Sequence, residues 1–303
     1  MNTSHPKLGT QTVAVFGLGS MGAGVAQSLL RAGHTVYGFD VVPESVQRFE
    51  AEGGLTASVA DAGAAADVVV SVVLNAAQLE TVLLGAHGIL PHLRPGTVVI
   101  ACPTVAPAFA RRMEAACQAR EVHYLDAPIS GGAAKSARGE LSVLASGTDA
   151  AFAAADVAFA AIAEKVFRLG DGAGLGSAMK AVNQLLAGVH IASMAEALTF
   201  GMTQGIEPQQ LVDVISECAG TSWMFENRAP HVVAGDYTPH SAVDIWPKDL
   251  GIVLDIARDA RFSAPLAAAA LQQFLAASGS GLGREDDAAV AKVYARNVGL
   301  DLP

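Results

Sequence analysis

The chain has 303 residues, of which 51% are hydrophobic and only 16% charged, so its composition excludes a disordered or low-complexity protein. Its length allows two domains with sizeable cores. The formal net charge of −10 argues against nucleic-acid binding, because phosphate contacts need clustered Lys and Arg side chains and the sequence has no basic run.

Cysteine usage and apolar runs favour a cytoplasmic protein that is not embedded in a membrane. Cys102, Cys117 and Cys218 are odd in number and form no CxxC pair, which suits a reduced compartment. The opening stretch MNTSHPKLGTQ lacks the apolar core of a signal peptide, and no uninterrupted apolar run approaches the ~18 residues of a membrane span. No HExxH motif, carboxylate cluster or Cys/His set predicts a metal site.

The first half of the chain alternates β-rich runs with alanine-rich helical runs. The expected strands are TVAVFG, TVYGFD, DVVVSVVL, GTVVIAC, VHYLDAP and LSVLASG. Near-continuous Val and Ile strands separated by helices are typical of a parallel sheet that is covered on both faces. This pattern predicts a doubly wound α/β domain over residues 1–174.

The second half of the chain, residues 175–303, predicts an all-helical domain. Residues 176–205 contain no proline and predict one helix of roughly 45 Å that joins the two domains. Further helices are expected at EPQQLVDVISECAG, WPKDLGIVLDIARDA, SAPLAAAALQQFLAAS and EDDAAVAKVYARNV. A helix of that length is too long for one small domain to bury, which predicts a homodimer or homotetramer.

A glycine motif follows the first expected strand and opens the first expected helix. Gly17, Gly19 and Gly22 have G-x-G-x-x-G spacing, and the loop also contains Leu18, Ser20 and Met21. The motif alone is weak, since 31 of the 303 residues are glycine. Its strand–turn–helix setting is the dinucleotide-binding fingerprint of Rossmann domains, in which the helix N-terminus faces the pyrophosphate. The alternative is a glycine-rich turn with a purely structural role.

Asp40 ends the second expected strand, 23 residues after Gly17. An acid at this place accepts hydrogen bonds from the adenosine ribose hydroxyls and repels a 2′-phosphate. No Lys or Arg follows before Arg48, so the sequence predicts NAD rather than NADP as cofactor. The alternative is an aspartate that starts a turn before Pro43.

Three further motifs appear in order: DAPISGGAAKSARGEL at residues 126–141, GLGSAMKAVNQ at 174–184 and KDLGIVLD at 248–255. Together with the glycine motif they resemble the β-hydroxyacid dehydrogenase family, which includes 3-hydroxyisobutyrate dehydrogenases and tartronate semialdehyde reductases. The resemblance extends from about residue 12 to 298. It implies NAD-dependent oxidation of a small hydroxy acid.

The resemblance also implies a substrate site. Ser130, Gly131 and Gly132 would bind the substrate carboxylate, and consecutive glycine N–H groups do form anion-binding nests. Lys180 would be the catalytic acid or base, with Asn183 beside it to orient the substrate. At 100° per residue Lys180, Asn183 and Gln184 share one stripe of the long helix. The alternatives are a glycine-rich surface turn and a solvated lysine.

Cofactor contacts beyond the glycine loop are implied at Leu74, Asn75 and Thr104. The family usually has proline where this chain has Asn75, and serine where it has Pro103, so the sequence departs from the pattern at both loops. Lys248, in the KDL stretch, is implied to reach the nicotinamide side; a surface lysine at a helix start is the alternative.

Within the family, VNQLLAGVHIA and SWMFENRAPHVVAGDYTP resemble the L-threonate dehydrogenase branch, which oxidises a four-carbon sugar acid at C2 with NAD. The amides of Asn183 and Gln184 could address successive substrate hydroxyls, and a loop over residues 223–228 could contribute Asn227 and Arg228. The alternative for Trp223, Met224 and Phe225, which is the more common one, is a place in a helix–helix core. A 3-hydroxyisobutyrate dehydrogenase and a tartronate semialdehyde reductase are the alternatives. A non-catalytic dinucleotide sensor would not need Lys180, and imine reductases typically replace this lysine.

Overall fold

The computed structural model describes residues 9–303, which form two compact units. One unit ends at Lys180 and the other comprises Ala181–Pro303, so the division falls within one helix. The expectation that the opening stretch holds no signal peptide concerns mainly residues 1–8, which lie outside the described residues.

A five-stranded parallel sheet forms the centre of the first unit. Its strand order is β2-β1-β3-β4-β5, and the strands β3 and β4 are buried along their whole length. Continuous runs such as VVVS and VVIA form such strands because both faces of the sheet are covered. The strands are β1 Thr12–Phe16, β2 Thr35–Phe39, β3 Val68–Ser71, β4 Val98–Ala101 and β5 His123–Asp126.

Helices cover both faces of this sheet, and each face has its own hydrophobic core. Val13 and Val68 belong to one core cluster, whereas Ala14 and Val69, the next residues along the same strands, belong to the other. This alternation confirms the predicted doubly wound domain. The helices are α1 Ser20–Arg31, α2 Pro43–Ala51, α3 Val59–Ala65, α4 Ala76–Leu84, α5 Pro107–Gln118, α6 Gly132–Arg138 and α7 Asp149–Ile162.

A second, three-stranded sheet contains β6 Ile129–Ser130, β7 Leu141–Ala145 and β8 Ala163–Arg168. The LSVLASG strand lies here rather than in the large parallel sheet, and β6 pairs with it antiparallel. The sequence analysis did not predict β6, which has only two residues, or β8. The reason for β8 is physical: its AEKVFR sequence has no apolar run and most of its residues are exposed.

The predicted long helix is α8, Leu175–Thr203, with 29 residues and a length of about 44 Å. It links the two units. The mean hydropathy of its most apolar 18-residue window is 1.4, which by length and composition alone would suit a membrane span. Half of that window is buried inside the protein, and Ile191, Met194 and Leu198 belong to the core of the second unit. We therefore describe α8 as a core helix.

Every helix or strand assigned in the second unit, residues 181–303, is a helix, as predicted. One helix, α10, was missed: residues 223–228 were expected to form a loop, yet they begin this helix. The Ser222 hydroxyl caps it by accepting a hydrogen bond from the Phe225 N–H at 3.0 Å, and Pro230 inside it conceals the helical pattern. The helices after α8 are α9 Pro208–Ser216, α10 Trp223–Ala234, α11 Ile245–Asp259, α12 Pro265–Ala277 and α13 Ala291–Val298.

Candidate active site

The glycine loop, residues 17–22, lies between β1 and α1, and the structure gives two of its three glycines a steric reason. Gly17 has φ +91°, and a Cβ there would lie 2.5 Å from the carbonyl oxygen of Val72. A Cβ on Gly22 would lie 1.8 Å from the Gly17 carbonyl oxygen. At Gly19 a Cβ would meet no atom within 4 Å, so this side of the loop is open to a ligand.

The loop also offers hydrogen-bond donors. Helix α1 begins at Ser20, and its N-cap, Gly19, provides no side-chain oxygen for the first backbone N–H groups. Such unsatisfied donors, together with the helix dipole, form an anion site. The loop also adjoins the carboxyl ends of β1 and β3, between which the strand order reverses, and ligands bind at this place in doubly wound sheets. The loop therefore fits the pyrophosphate of a dinucleotide.

Asp40 follows β2 and is fixed beside this loop. Its Oδ2 accepts a hydrogen bond from the Leu18 N–H at 2.6 Å, while Oδ1 accepts one from the Val42 N–H at 2.8 Å. The second bond belongs to the turn before Pro43, which was the alternative interpretation. Asp40 thus turns the chain and also holds a carboxylate beside the glycine loop.

The other expected cofactor contacts lie at the same edge of the parallel sheet. Leu74 and Asn75 follow β3, and Thr104 follows β4. Leu74 is 65% exposed. The Asn75 side chain caps α4, because its Oδ1 accepts a hydrogen bond from the Gln78 N–H at 2.9 Å. The departure from proline at this position therefore supplies a helix cap, and any contact from this loop to a cofactor would come from the backbone or Leu74.

Lys180 is brought directly to the segment expected to bind substrate, residues 130–132, which we call the substrate segment. The Lys180 side chain is buried, with 8% of the residue exposed, and its Nζ donates a hydrogen bond of 2.9 Å to the carbonyl oxygen of Ile129. Ser130 is half-buried, while Gly131 and Gly132 are exposed and have φ values of +135° and +75°. An amine and a set of anion-binding donors are therefore adjacent.

Sequence reasoning missed Asp126, the residue that holds Lys180 and the substrate segment together. Its Oδ2 accepts hydrogen bonds from the N–H groups of Gly174 at 2.9 Å and Ser177 at 2.8 Å, and its Oδ1 accepts one from the Ser177 hydroxyl at 2.6 Å. Burial raises the pKa of Asp126, although the hydrogen bonds from Ser177 and Gly174 act in the opposite direction. The signal that the sequence offered for this role was an acidic residue at the end of an expected strand, in the stretch DAP. Asp126 fastens the start of α8 to β5.

In the second unit, three predicted site residues join a polar chain. Asn183 Nδ2 donates to Gln184 Oε1 at 2.9 Å, and Gln184 Nε2 donates to Asp249 Oδ2 at 2.5 Å. The Lys248 ammonium pairs with the other oxygen of Asp249. Gln184 and Asp249 are buried, and Asn183 is half-buried. Asp249 was quoted within the KDL motif but given no role.

The expected substrate loop at residues 223–228 is wrong, because the Arg228 side chain is buried and faces the protein interior. Its Nε lies 2.5 Å from Asp287 Oδ1 and 3.8 Å from Asp286 Oδ1. Phe225 is also buried, in the core of the second unit, whereas Trp223 is 65% exposed. The Arg228 guanidinium is therefore paired with two carboxylates inside the helical unit.

A second cluster near Arg228 unites His231, His240 and Asp286, whose ligand atoms lie within 4.8 Å of one another. Its members are as many as 55 residues apart, so no local motif predicts it. The Asp286 carboxylate already accepts hydrogen bonds from the N–H groups of His240 and Ala288, and the Arg228 cation lies nearby. These hydrogen bonds and the nearby cation hold the Asp286 carboxylate in place.

Sequence profiles of known families match both parts of this chain. The sequence profile of the NAD binding domain of 6-phosphogluconate dehydrogenase matches residues 12–170. A second profile, described as NAD-binding of NADP-dependent 3-hydroxyisobutyrate dehydrogenase, matches residues 174–294. Together the two profiles cover both units.

Similar proteins match this chain over nearly its whole length. L-threonate dehydrogenase of Cupriavidus necator is 52% identical over 295 residues, which cover 97% of this chain and 98% of that protein. L-threonate dehydrogenase of Escherichia coli K12 is 46% identical, and the match covers 96% of each chain. The crystal structure of 3-hydroxyisobutyrate dehydrogenase from Salmonella typhimurium is 47% identical with a TM-score of 0.87, over 93% of this chain and 99% of that one. The family resemblance is thus confirmed, and the protein belongs to the 3-hydroxyisobutyrate dehydrogenase-like family of NAD(P)-dependent hydroxyacid dehydrogenases.

Proposed function

We propose that this protein is an NAD-dependent L-threonate dehydrogenase, which oxidises L-threonate at C2 to 2-oxotetronate. The observation that carries the chemistry is the contact of Lys180 Nζ with the Ile129 carbonyl, immediately before the substrate segment. The choice of L-threonate is supported by relatives of that name that are 46% and 52% identical over nearly the full chain.

Lys180 is the acid and base in this proposal. As a neutral amine it accepts the proton of the C2 hydroxyl, and as an ammonium it donates a proton to the carbonyl oxygen in the reverse direction. Its hydrogen bond to the Ile129 carbonyl fixes Nζ beside the substrate segment, and its burial limits competition from water. A bound nicotinamide cofactor would supply the acceptor for the hydride from C2.

The substrate segment binds the carboxylate of the hydroxy acid. Ser130 offers a hydroxyl, and the exposed Gly131 and Gly132 offer backbone N–H groups. The positive φ values of the two glycines favour glycine at both positions, and successive glycine N–H groups can bind an anion. Asn183 then lies one helical turn after Lys180 on α8, where it addresses a neighbouring hydroxyl.

NAD is the cofactor in this proposal, with the pyrophosphate at residues 17–22 and the adenosine ribose at Asp40. The carboxylate of Asp40 is held beside the loop by the Leu18 N–H, where it would repel a 2′-phosphate. Leu74, Asn75 and Thr104 follow neighbouring strands at the same sheet edge and complete the proposed binding surface. Lys248 is assigned to the nicotinamide side.

We propose residues 1–174 as the dinucleotide-binding domain and residues 175–303 as the substrate and assembly domain of a homodimer or homotetramer. Met179, Val182 and Leu186 form an apolar stripe on α8 and are 43%, 56% and 49% exposed. A stripe of this kind on a long helix is typical of a protein interface. Val189, which the sequence placed with them, is partly buried against the core of the second unit.

A cytoplasmic location is also part of the proposal. Cys102, Cys117 and Cys218 are all free thiols. Burial raises the pKa of Cys102 and Cys117 to about 12, so these thiols are inert. Free thiols suit a reducing compartment.

The test of the function is a set of initial rates with NAD and the purified full chain. The substrates are L-threonate, 3-hydroxyisobutyrate and D-glycerate, and the Lys180→Ala protein serves as the blank for each. We expect L-threonate to give the highest kcat/KM. A higher value for 3-hydroxyisobutyrate would refute the substrate, and no turnover of any hydroxy acid would favour a non-catalytic sensor.

A further inference from the structure

Four polar side chains of the second unit form one continuous chain of hydrogen bonds. Asn183 donates to Gln184, Gln184 donates to Asp249, and the Lys248 ammonium pairs with the remaining oxygen of that carboxylate. Gln184 is 7% exposed and Asp249 is 2% exposed. Burial excludes water as a substitute partner for Gln184 and Asp249, so the bond between them has to be made by the protein.

The chemistry of Asp249 fixes the direction of every bond in the chain. An ionised carboxylate only accepts hydrogen bonds, so Gln184 has to present its NH₂ group to Asp249. The Gln184 carbonyl oxygen then faces Asn183 and can only accept, so Asn183 has to present its own NH₂ group. The acceptor Oδ1 of the Asn183 amide, together with the second hydrogen of Nδ2, is then directed outside the chain.

We infer that Asp249 and Gln184 are positioning residues which make Asn183 present a hydrogen-bond acceptor to the substrate. An acceptor selects a substrate that carries a hydroxyl donor at that place. Asn183 follows Lys180 by three residues on α8, a rise of about 4.5 Å. Since Lys180 faces the C2 hydroxyl in the proposed function, on which this inference rests, Asn183 faces the hydroxyl on C3.

This assignment gives Gln184 a different role from the one the sequence suggested. The expectation was that Asn183 and Gln184 each bind a substrate hydroxyl. Both ends of the Gln184 amide bond to protein groups, and the side chain is buried, so Gln184 acts through Asn183. A longer amide than asparagine at this position is what spans the distance from α8 to Asp249 on α11.

The test compares L-threonate with 2,4-dihydroxybutanoate, which has the same reacting C2 hydroxyl and lacks only the C3 hydroxyl. Gln184→Met keeps the length of the side chain and removes both hydrogen bonds. Asp249→Asn keeps the shape of the carboxylate but lets the whole chain reverse direction. Thr199→Val is the matched control, because Thr199 is buried on the same helix and its hydroxyl bonds only to carbonyls of that helix.

We expect Gln184→Met to lower kcat/KM for L-threonate by about tenfold or more, mainly through KM, and to change the value for the deoxy acid less than about threefold. Asp249→Asn should reduce the same selectivity ratio, and Thr199→Val should leave it unchanged. The ratio is decisive because a general loss of structure lowers both rates together.

An unchanged ratio in Gln184→Met, or an equal loss on both acids, overturns the inference. Melting temperatures of the variants identify a folding defect. Failure of the proposed function is a separate result, visible in the wild type as absence of L-threonate turnover. In that event glycerate and lactate replace the pair, since they also differ only in the C3 hydroxyl, and the same outcomes decide.

Discussion

The carboxylate of Asp126, at the end of β5, accepts two hydrogen bonds from Ser177 in the first turn of α8: one from its backbone N–H at 2.8 Å and one from its hydroxyl at 2.6 Å. Lys180 follows Ser177 by three residues on the same helix, and its Nζ bonds to Ile129, three residues after Asp126. The two contacts connect residues 126–129 to the first turns of α8. The position of the Lys180 amine therefore depends on where α8 begins.

Asp126→Asn tests this dependence. An amide in place of the carboxylate directs an NH₂ group at one of its donors, which shifts the start of α8 and hence Lys180. We expect kcat to fall by about tenfold or more, the scale of an impaired acid or base, while NADH binding measured by fluorescence is retained. Asp67→Asn is the control, because Asp67 forms an exposed ion pair with Arg94. Wild-type kcat in Asp126→Asn would contradict the positioning role.

Lys180→Ala tests the catalytic assignment itself. Removal of the amine should lower turnover by about 10²-fold or more, because no positioned group then accepts the hydroxyl proton. NADH binding should persist, since the glycine loop is untouched. Lys135→Ala is a suitable control: Lys135 belongs to α6, just after the substrate segment, and its ammonium pairs with the exposed Glu164. Near-normal turnover without Lys180 would disprove the assignment.

The carboxylate of Asp40 is expected to set the preference for NAD over NADP. We expect the wild type to use NAD with a much higher kcat/KM than NADP, and Asp40→Asn to reduce that ratio by removing the charge that repels a 2′-phosphate. The amide oxygen still accepts the bond from the Leu18 N–H, so the loop keeps its shape. The measurement is the ratio of kcat/KM values at saturating hydroxy acid. A wild type that prefers NADP would show that this strand end was misinterpreted.

Substitution of Arg228 should lower the free energy of unfolding without lowering the affinity for substrate. Arg228→Met leaves the buried carboxylates of Asp286 and Asp287 without their cation, which should destabilise the helical unit by about 3–5 kcal/mol. Arg258→Met, in an exposed pair with Asp255, should cost no more than about 1 kcal/mol. Urea unfolding and KM are measured for both. A raised KM with normal stability in Arg228→Met would restore the discarded substrate loop.

Substitution of Val182 tests the proposed assembly into a dimer or tetramer. Light scattering of the wild type at micromolar concentration should give the mass of a dimer or tetramer, and Val182→Asp should lower it by placing a charge in the apolar stripe of α8. Val298→Asp, at a residue that is 57% exposed against 56% for Val182, should leave the mass unchanged. A monomeric wild type would rule out the proposed assembly.

Most of the secondary structure and the glycine loop depend on neighbouring residues and were therefore predictable from the sequence. The glycine loop was predictable because its three glycines, the strand before it and the helix after it are consecutive in the sequence. The structure gives Gly17 and Gly22 steric reasons to be glycine. Runs such as VVVS predicted buried parallel strands, and the absence of proline predicted α8. Local order of this kind is written in residue spacing.

Tertiary structure alone decided which polar groups meet. Ser177 lies 51 residues from Asp126, and Asp249 lies 65 residues from Gln184. Arg228 and Asp287 are 59 residues apart, and their pairing turned an expected substrate loop into a buried helix. A carboxylate has the same local sequence signature whether it caps a helix, orients an amide or balances a guanidinium. Its role depends on which donor is folded against it and on whether water is excluded from the pair.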